Sequence, residues 1–322
     1  MSNISICTPT VIKNAATSLM DGNLVAFPTE TVYGLGADAT NEDAIRRIYE
    51  VKARPVGHPI IVHISSVAFL HKWARDIPDY ALKLASAFWP GPMTLILPRT
   101  YLAKDFITGG QDNVGIRVPS HAVALSLLAE FEDQGGFGVA APSANRFGKV
   151  SPTTSDAVSE ELSEFLSLKD LIIDGGACDI GIESTIIDCT RSVPNLLRPG
   201  AISEVLVFNE LGIYLNDVKK VSHKVKAPGL LESHYAPKAL VYLSGAPMAG
   251  DGLIAISIHK TPKGVFRLAS PVDNFDFGNQ LYSALRLADR RRISRVFIIP
   301  PIGEGIAIAI NDRLLKCAYK ID

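Results

Sequence analysis

The stretch from Leu24 to Pro55 limits the possible folds more than any other part of the chain. Leu24 to Phe27 is a short apolar run that reads as a strand. Pro28 ends it, since proline has no N–H to give to a sheet ladder. Thr29-Glu30-Thr31-Val32-Tyr33-Gly34-Leu35-Gly36 then packs hydroxyls, a carboxylate and two glycines together. Hydroxyls bond a ligand without committing charge, and glycine lets a backbone turn tightly or a ligand approach closely. Thr40-Asn41-Glu42-Asp43 has the form of a capping box, and Ile45, Ile48 and Tyr49 make an apolar stripe at helical spacing. Arg54 precedes Pro55, which disfavours helical backbone, so the helix stops there with Lys52 and Arg54 at its last turn. On spacing alone, two cations at that place simply suit the helix C-terminus. Lys52 is expected to be exposed, so replacing it should leave the fold intact.

Strand and helix patterns alternate on both sides of this stretch. Thr8-Pro9 opens a helix with proline at its first position. Ile60 to Ile64, Met93 to Pro98, Val114 to Val118, Gly138 to Ala141, Leu171 to Asp174 and Ser184 to Asp188 read as strands. Ser65 to Arg75, Pro78 to Phe88 and His121 to Phe131 read as helices. The alternation indicates an α/β domain. The pattern weakens between Asn216 and Pro237, a stretch that reads as a linker but holds His234 and Tyr235. Beyond Ala239, strand candidates at Val241 to Leu243, Leu253 to Ile258 and Val296 to Ile299 accompany two helices, one bearing Leu281, Ala284, Leu285 and Ala288 and one from about Gly305 to Ala318. This is a small Rossmann-like unit. It lacks Gly-x-Gly-x-x-Gly, so no dinucleotide is assigned to it. Arg286, Arg290, Arg291, Arg292 and Arg295 form a basic cluster. A solvated helix face is its ordinary reading and RNA contact the alternative.

At 322 residues, 47% hydrophobic and 20% charged, the chain can bury a sizeable core. A formal net charge of −1 gives no global signature of nucleic-acid binding. Cys7, Cys178, Cys189 and Cys317 lie far apart without a Cys-x-x-Cys, against a zinc site or a disulfide framework. No signal peptide and no apolar run of membrane-spanning length is read, so a cytoplasmic protein is expected.

There is no Walker A sequence, no Gly-x-Ser-x-Gly and no His-Glu-x-x-His. A nucleotide would therefore be held by dispersed groups: Lys52, Arg54, Ser143, Ser151 and Arg198. Each has a plain structural alternative. Ser151 before Pro152 could cap a helix, Arg198 could pair with a carboxylate, and Ser143 and Asn145 could be turn residues.

Pro28 to Gly36 followed by Lys52-Ala53-Arg54-Pro55, with Ser143 and Asn145 as a Ser-x-Asn pair, resembles the YrdC/Sua5 family, and the resemblance runs over nearly the whole chain. It implies a YrdC-like twisted open sheet with helices over residues 1–212, a linker that lids the active site over 213–238, and a Rossmann-like α/β C-terminal domain over 239–322. It implies a nucleotidyltransferase that makes threonylcarbamoyl-AMP and pyrophosphate from L-threonine, bicarbonate or CO2, and ATP with Mg2+. The product would pass to a transferase that modifies adenosine beside the anticodon of ANN-decoding transfer RNAs. By the same resemblance Thr31, His63, Arg117, Ala141 and Ser184 contact threonine. Lys52, Arg54, His58, Asn113, Ser143, Asn145, Ser151, Arg198 and Tyr235 contact ATP, with Lys52, Arg54, Ser143 and Asn145 acting in catalysis and no protein side chain binding metal. His58 stands where the family usually has a small polar residue. The fold resemblance also fits two other readings: a double-stranded RNA-binding module, disfavoured by the charge balance, and carbamoyl transfer in hydrogenase maturation, disfavoured by the missing zinc-binding cysteines.

Overall fold

A computed structural model of the chain describes residues 3–217, 225, 227–228 and 235–318. Among these, two sheets form. The larger has eleven strands, ordered Ile4–Ile6, Leu171–Asp174, Val25–Phe27, Gly34–Asp38, Val139–Ala140, Val62–His63, Asn113–Arg117, Met93–Pro98, Thr185–Asp188, Asn195–Arg198 and Asn216–Asp217. It mixes parallel and antiparallel pairs. The smaller is wholly parallel, ordered Leu240–Tyr242, Arg295–Ile298, Gly252–Ile254 and Phe266–Ala269. The arrangement is the α/β fold expected: a large twisted sheet with helices and a smaller Rossmann-like unit.

Local chemistry explains the elements that flank the site. The helix Pro9–Met20 starts under Thr8, whose hydroxyl accepts the Val11 N–H at 3.2 Å. The helix Glu42–Lys52 is capped by Asn41, whose side chain accepts the Ala44 N–H at 3.0 Å. Thr40, read as the first residue of a capping box, instead donates its hydroxyl to Asp38. This helix ends at Lys52, two residues before the expected end at Arg54, because Ala53 turns into the left-handed region at φ +47°. Gly36 permits the packing of the first hairpin: a Cβ there would come within 2.7 Å of Val139 and 2.8 Å of the Phe27 ring.

Some elements differ from the sequence reading. Ile60 to Ile64 keeps strand pairing only at Val62–His63, and Ser65 to Arg75 is a 3-10 turn at Val67–Phe69 followed by a single helical turn, Leu70–Trp73. The helix Glu204–Leu211 and the strands Gly34–Asp38, Asn195–Arg198 and Phe266–Ala269 went unread. Of these, Gly34–Asp38 is rich in glycine and small residues, which hides the β pattern that bulky side chains reveal.

The C-terminal unit is docked on the first domain by packing and ion pairs. One buried cluster joins Val32, Val150, Ile182 and Tyr235 to Phe277, Leu281, Tyr282, Ile306 and Ile310. Gly181, at φ +80°, lies so close to the helix Asn274–Arg290 that a Cβ would stand 2.5 Å from the Gly278 carbonyl oxygen. Asn279 donates its amide to the Cys178 and Asp179 carbonyls at 2.8 and 2.9 Å. Two members of the basic cluster bridge the units, Arg286 pairing with Glu161 and Arg290 with Glu160, each at 3.3 Å, while Arg295 pairs with Asp251 inside the C-terminal unit at 2.9 Å.

Candidate active site

Strand register brings the first candidate residues together. His63 and Arg117 end two parallel strands and lie opposite each other in the pairing, with His63 also facing Val139 on its other side. Ala141 follows the neighbouring strand and gives its N–H to the Ile61 carbonyl at 3.0 Å. Met93 pairs with Thr185, which sets the Thr94 and Ser184 hydroxyls 2.8 Å apart. Over this edge of the sheet opens a narrow cleft with about 60 Å³ of enclosed free volume.

The cleft wall includes Thr31, Arg54, His63, Arg117, Ala141, Ser143, Ser184, Arg198 and Tyr235, all expected from the sequence and contributed by distant segments. Arg117 is almost fully buried. It donates Nη1 to the Thr31 hydroxyl at 3.0 Å and Nε to the Gly91 carbonyl at 3.4 Å, and its Nη2 stands 2.6 Å from Glu30 Oε1. These contacts hold the guanidinium in place, and among the described residues its Nη2 makes no hydrogen bond besides the ion-pair contact with Glu30. Arg198 is held by Ser184, through both carbonyl and hydroxyl at 3.0 and 3.1 Å, and by the Pro228 carbonyl at 3.1 Å. Among the described residues it makes no ion pair with a carboxylate.

Among the described residues, two buried polar atoms of the cleft wall have no hydrogen-bond partner, Arg54 Nε and His63 Nδ1. Leaving such atoms unbonded is costly, so they mark where a ligand would bond. Burial, and then the Arg117 charge, push His63 down to about 3, so it faces the cleft neutral.

Other expected residues stand outside the wall. Lys52 is 1% exposed, not the exposed helix-end lysine expected. Its Nζ donates to the Ser143 and Asn145 carbonyls, each at 2.5 Å, and so pins the loop that carries Ser143. Burial, with Arg54 nearby, holds its ammonium well below the ordinary lysine range. Asn145 gives its amide to the Arg146 and Lys149 carbonyls at 2.7 and 2.9 Å, closing the turn in the same loop. Ser151 caps no helix; Thr154 caps the one that follows, and the Ser151 hydroxyl donates to Glu183 at 2.6 Å. His58 meets the Phe147 ring edge-on at 5.6 Å, and Asn113 begins its strand opposite Pro98.

The linker reaches the cleft at both of its described ends. Pro228 and Tyr235 line it. Ala227 packs with Ile61, Ile96, Ile186 and Leu197, and the Ala236 N–H donates to the Gly148 carbonyl at 3.0 Å. His234 and the lysines at 219, 220, 224 and 226 lie outside the described residues. Tyr33, given no role from the sequence, lines the cleft and donates its hydroxyl to the Gly176 carbonyl at 2.7 Å. Glu183 was missed. It is a carboxylate in a wall of cations and hydroxyls, and only its position beside Ser184 could have drawn attention to it. Burial alone would raise its pKa. Arg313, Arg198 and the Ser151 hydroxyl outweigh that and bring it down to about 2, so it is ionised.

Guanidinium groups and hydroxyls converging over the edge of a mixed, twisted sheet, with a second parallel-sheet unit packed behind, define a two-domain α/β protein of the YrdC-like class. A family model described as "Telomere recombination", that of the Sua5, YciO and YrdC proteins, matches residues 17–200. A second, described as "Threonylcarbamoyl-AMP synthase, C-terminal domain", matches residues 199–318. The threonylcarbamoyl-AMP synthase of Pyrococcus abyssi is 40% identical, over 96% of this chain and 95% of its own. That of Bacillus subtilis is 36% identical, over 95% and 92%. The crystal structure of P. abyssi Sua5 complexed with L-threonine superposes with a TM-score of 0.87 at 37% identity, covering 98% of this chain and 96% of that one. The chain belongs to the Sua5/YciO/YrdC family and carries the Sua5 C-terminal domain.

Proposed function

We infer that this chain is a threonylcarbamoyl-AMP synthase, as its full-length relatives are named. The observation that carries the reading is the single cleft in which Arg54, Ser143 and Arg198 meet Thr31, His63, Arg117 and Ser184. One group suits phosphate and the other an amino acid. The threonine amine takes up bicarbonate or CO2 and becomes a carbamate, giving up protons, and water when bicarbonate is used. A carbamate oxygen then attacks the α-phosphorus of ATP, the bond to the β-phosphate oxygen breaks, and pyrophosphate leaves. No protein nucleophile is needed, so the work of the site is positioning and neutralisation of phosphate charge.

The Arg117 guanidinium suits a carboxylate taken in a two-pronged way. The Thr31 and Ser184 hydroxyls and neutral His63 suit the hydroxyl and amine of threonine, with the Ala141 backbone closing that end. A hydroxyl-bonding pocket rejects valine, because valine would leave its buried polar groups unpaired. The P. abyssi protein solved in complex with L-threonine supports threonine as a ligand of this chain. For ATP we propose direct contacts from Arg54, Ser143, Arg198 and Tyr235. Lys52, Asn145 and Ser151 act by holding the loops that carry them, and His58 and Asn113 flank the outer end. The described stretches around Pro228 and Tyr235 would form a lid that keeps water from the labile carbamate.

Mg2+ would accompany the triphosphate, balancing its charge and drawing electron density from the phosphates. Among the described residues no cluster of acidic, histidine or cysteine side chains could hold it. Glu30 and Glu183 are already engaged by Arg117 and by Ser151 with Arg313. The donor set therefore fits an ion held by phosphate oxygens and water.

Transfer-RNA modification follows at the next enzyme, a transferase that receives the adenylate. The ion pairs of Arg286, Arg290 and Arg295 weigh against RNA as a ligand of the C-terminal domain. The test is pyrophosphate release from ATP. Release should need threonine and bicarbonate together, and release indifferent to either would refute the reading.

A further inference from the structure

The cleft wall is braced by two residues of the C-terminal domain, Arg313 from the helix Ile306–Cys317 and Tyr282 from the helix Asn274–Arg290. Both are fully buried. Arg313 donates Nε to Glu183 Oε2 at 3.1 Å, Nη2 to the Glu183 carbonyl at 3.3 Å and Nη1 to the Pro199 carbonyl at 2.8 Å. Its guanidinium also lies 5.7 Å from the Tyr235 ring centroid. The Tyr282 hydroxyl donates to the same Glu183 oxygen at 3.0 Å, and its ring stacks on Tyr235 with centroids 5.8 Å apart.

One guanidinium thus grips residues 183 and 199, the immediate neighbours of Ser184 and Arg198. Those two are bonded to each other in the cleft. The Glu183 side chain is an ionised acceptor, so every group on it must donate; Ser151, Tyr282 and Arg313 all do. A planar fork with five donors can serve a carboxylate and two carbonyls in one fixed arrangement, which a lysine cannot.

We propose that Arg313, with Tyr282, is a positioning element for the nucleotide site: the C-terminal domain sets the place of Arg198 and Ser184 by clasping Glu183 and Pro199. This rests on the synthase reading above and adds a role for the second domain. Neither residue reaches the cleft, so each acts only through Glu183, Pro199 and Tyr235.

The test uses the full-length protein. Tyr282→Phe removes one donor to the carboxylate and keeps the ion pair, so it is the variant most certain to fold. It should raise KM for ATP about tenfold, the worth of one hydrogen bond to a charged group. Arg313→Gln should do more, and Arg313→Lys should not rescue it. In a double-mutant cycle, Arg198→Ala should cost clearly less in the Tyr282→Phe background than in the wild type, because the clasp and Arg198 act as one unit. Additive losses, or full rescue by lysine, would overturn the proposal. The Arg198 Nε–H resonance, assigned by its loss in Arg198→Ala, gives a reading without turnover. It should shift in Tyr282→Phe, and an unmoved resonance would overturn the clasp even if the wild type released no pyrophosphate. Absence of pyrophosphate with an altered resonance would instead sink the synthase reading and leave the clasp standing.

Discussion

Replacing Lys52 with methionine keeps most of the apolar stem and removes the donors. In the folded chain the amine gives hydrogen bonds to two buried carbonyls, Ser143 and Asn145, at 2.5 Å each. A hydrogen bond with a charged partner contributes about 1.5–3 kcal/mol. Two of them amount to roughly 3–6 kcal/mol before the burial of the amine is counted. That burial works against the wild type and pulls its pKa down, so methionine recovers part of the loss. A net destabilisation of about 2–3 kcal/mol follows from setting that recovery against the lost bonds. For a cooperative unit of this size it lowers the unfolding midpoint by ~3–5 °C. The Ser143 loop loosens at the same time, so KM for ATP should rise with the fall in stability. Thermal unfolding and pyrophosphate release on the same preparation check both. An unchanged unfolding midpoint, with activity abolished, would refute the loop-holding argument and return Lys52 to direct contact with phosphate.

Arg117→Lys cannot hold Thr31, Gly91 and Glu30 together, so KM for threonine should rise by about tenfold or more while KM for ATP stays within a factor of two; an equal rise for both would remove Arg117 from the threonine site. Native His63 stays neutral down to about 3, whereas the unfolded chain protonates it below about 6.5. The unfolded state then binds more protons, so stability should fall as pH drops from about 6.5 towards 3, by up to ~1.4 kcal/mol per pH unit from this residue. Urea unfolding of His63→Gln at pH 6.5 and 4.5 should show a shallower slope, and an identical slope would count against it. Gly181→Ala should loosen the seam between the domains, since its Cβ would meet the Gly278 carbonyl oxygen and its φ is +80°. A loss of about 2–3 kcal/mol is expected by unfolding, and a neutral result would mean that the seam yields freely.

Most of the fold could be read from the sequence where elements are marked by side-chain bulk and caps. Met93–Pro98 and Leu171–Asp174 stand where the apolar runs put them, and Thr8-Pro9 opens its helix as expected. Strand order and the second role of each polar residue were not legible, because both depend on pairing between distant segments. His63 and Arg117 are neighbours only through register, and nothing local to either announces it.

The same limit explains Lys52 and Ser151. Helix-end position predicts exposure for a lysine, yet the Ser143 loop folds over this helix end and offers two carbonyls. The tertiary contact overrides the local signal. Ser151 before Pro152 looked like a cap, but Glu183 is a stronger acceptor for its hydroxyl than any helix N–H is a donor to it. Glu183 itself is the clearest case. A carboxylate facing a cleft proposed to hold phosphate is unfavourable unless cations and donors hold it, and besides Arg198 and Ser151 these come from Arg313 and Tyr282 in the C-terminal unit. The two units therefore meet at this point: without the C-terminal helices Glu183 would lose its ion pair with Arg313 and the Tyr282 hydroxyl. A reading of either domain's sequence alone could not have disclosed that dependence.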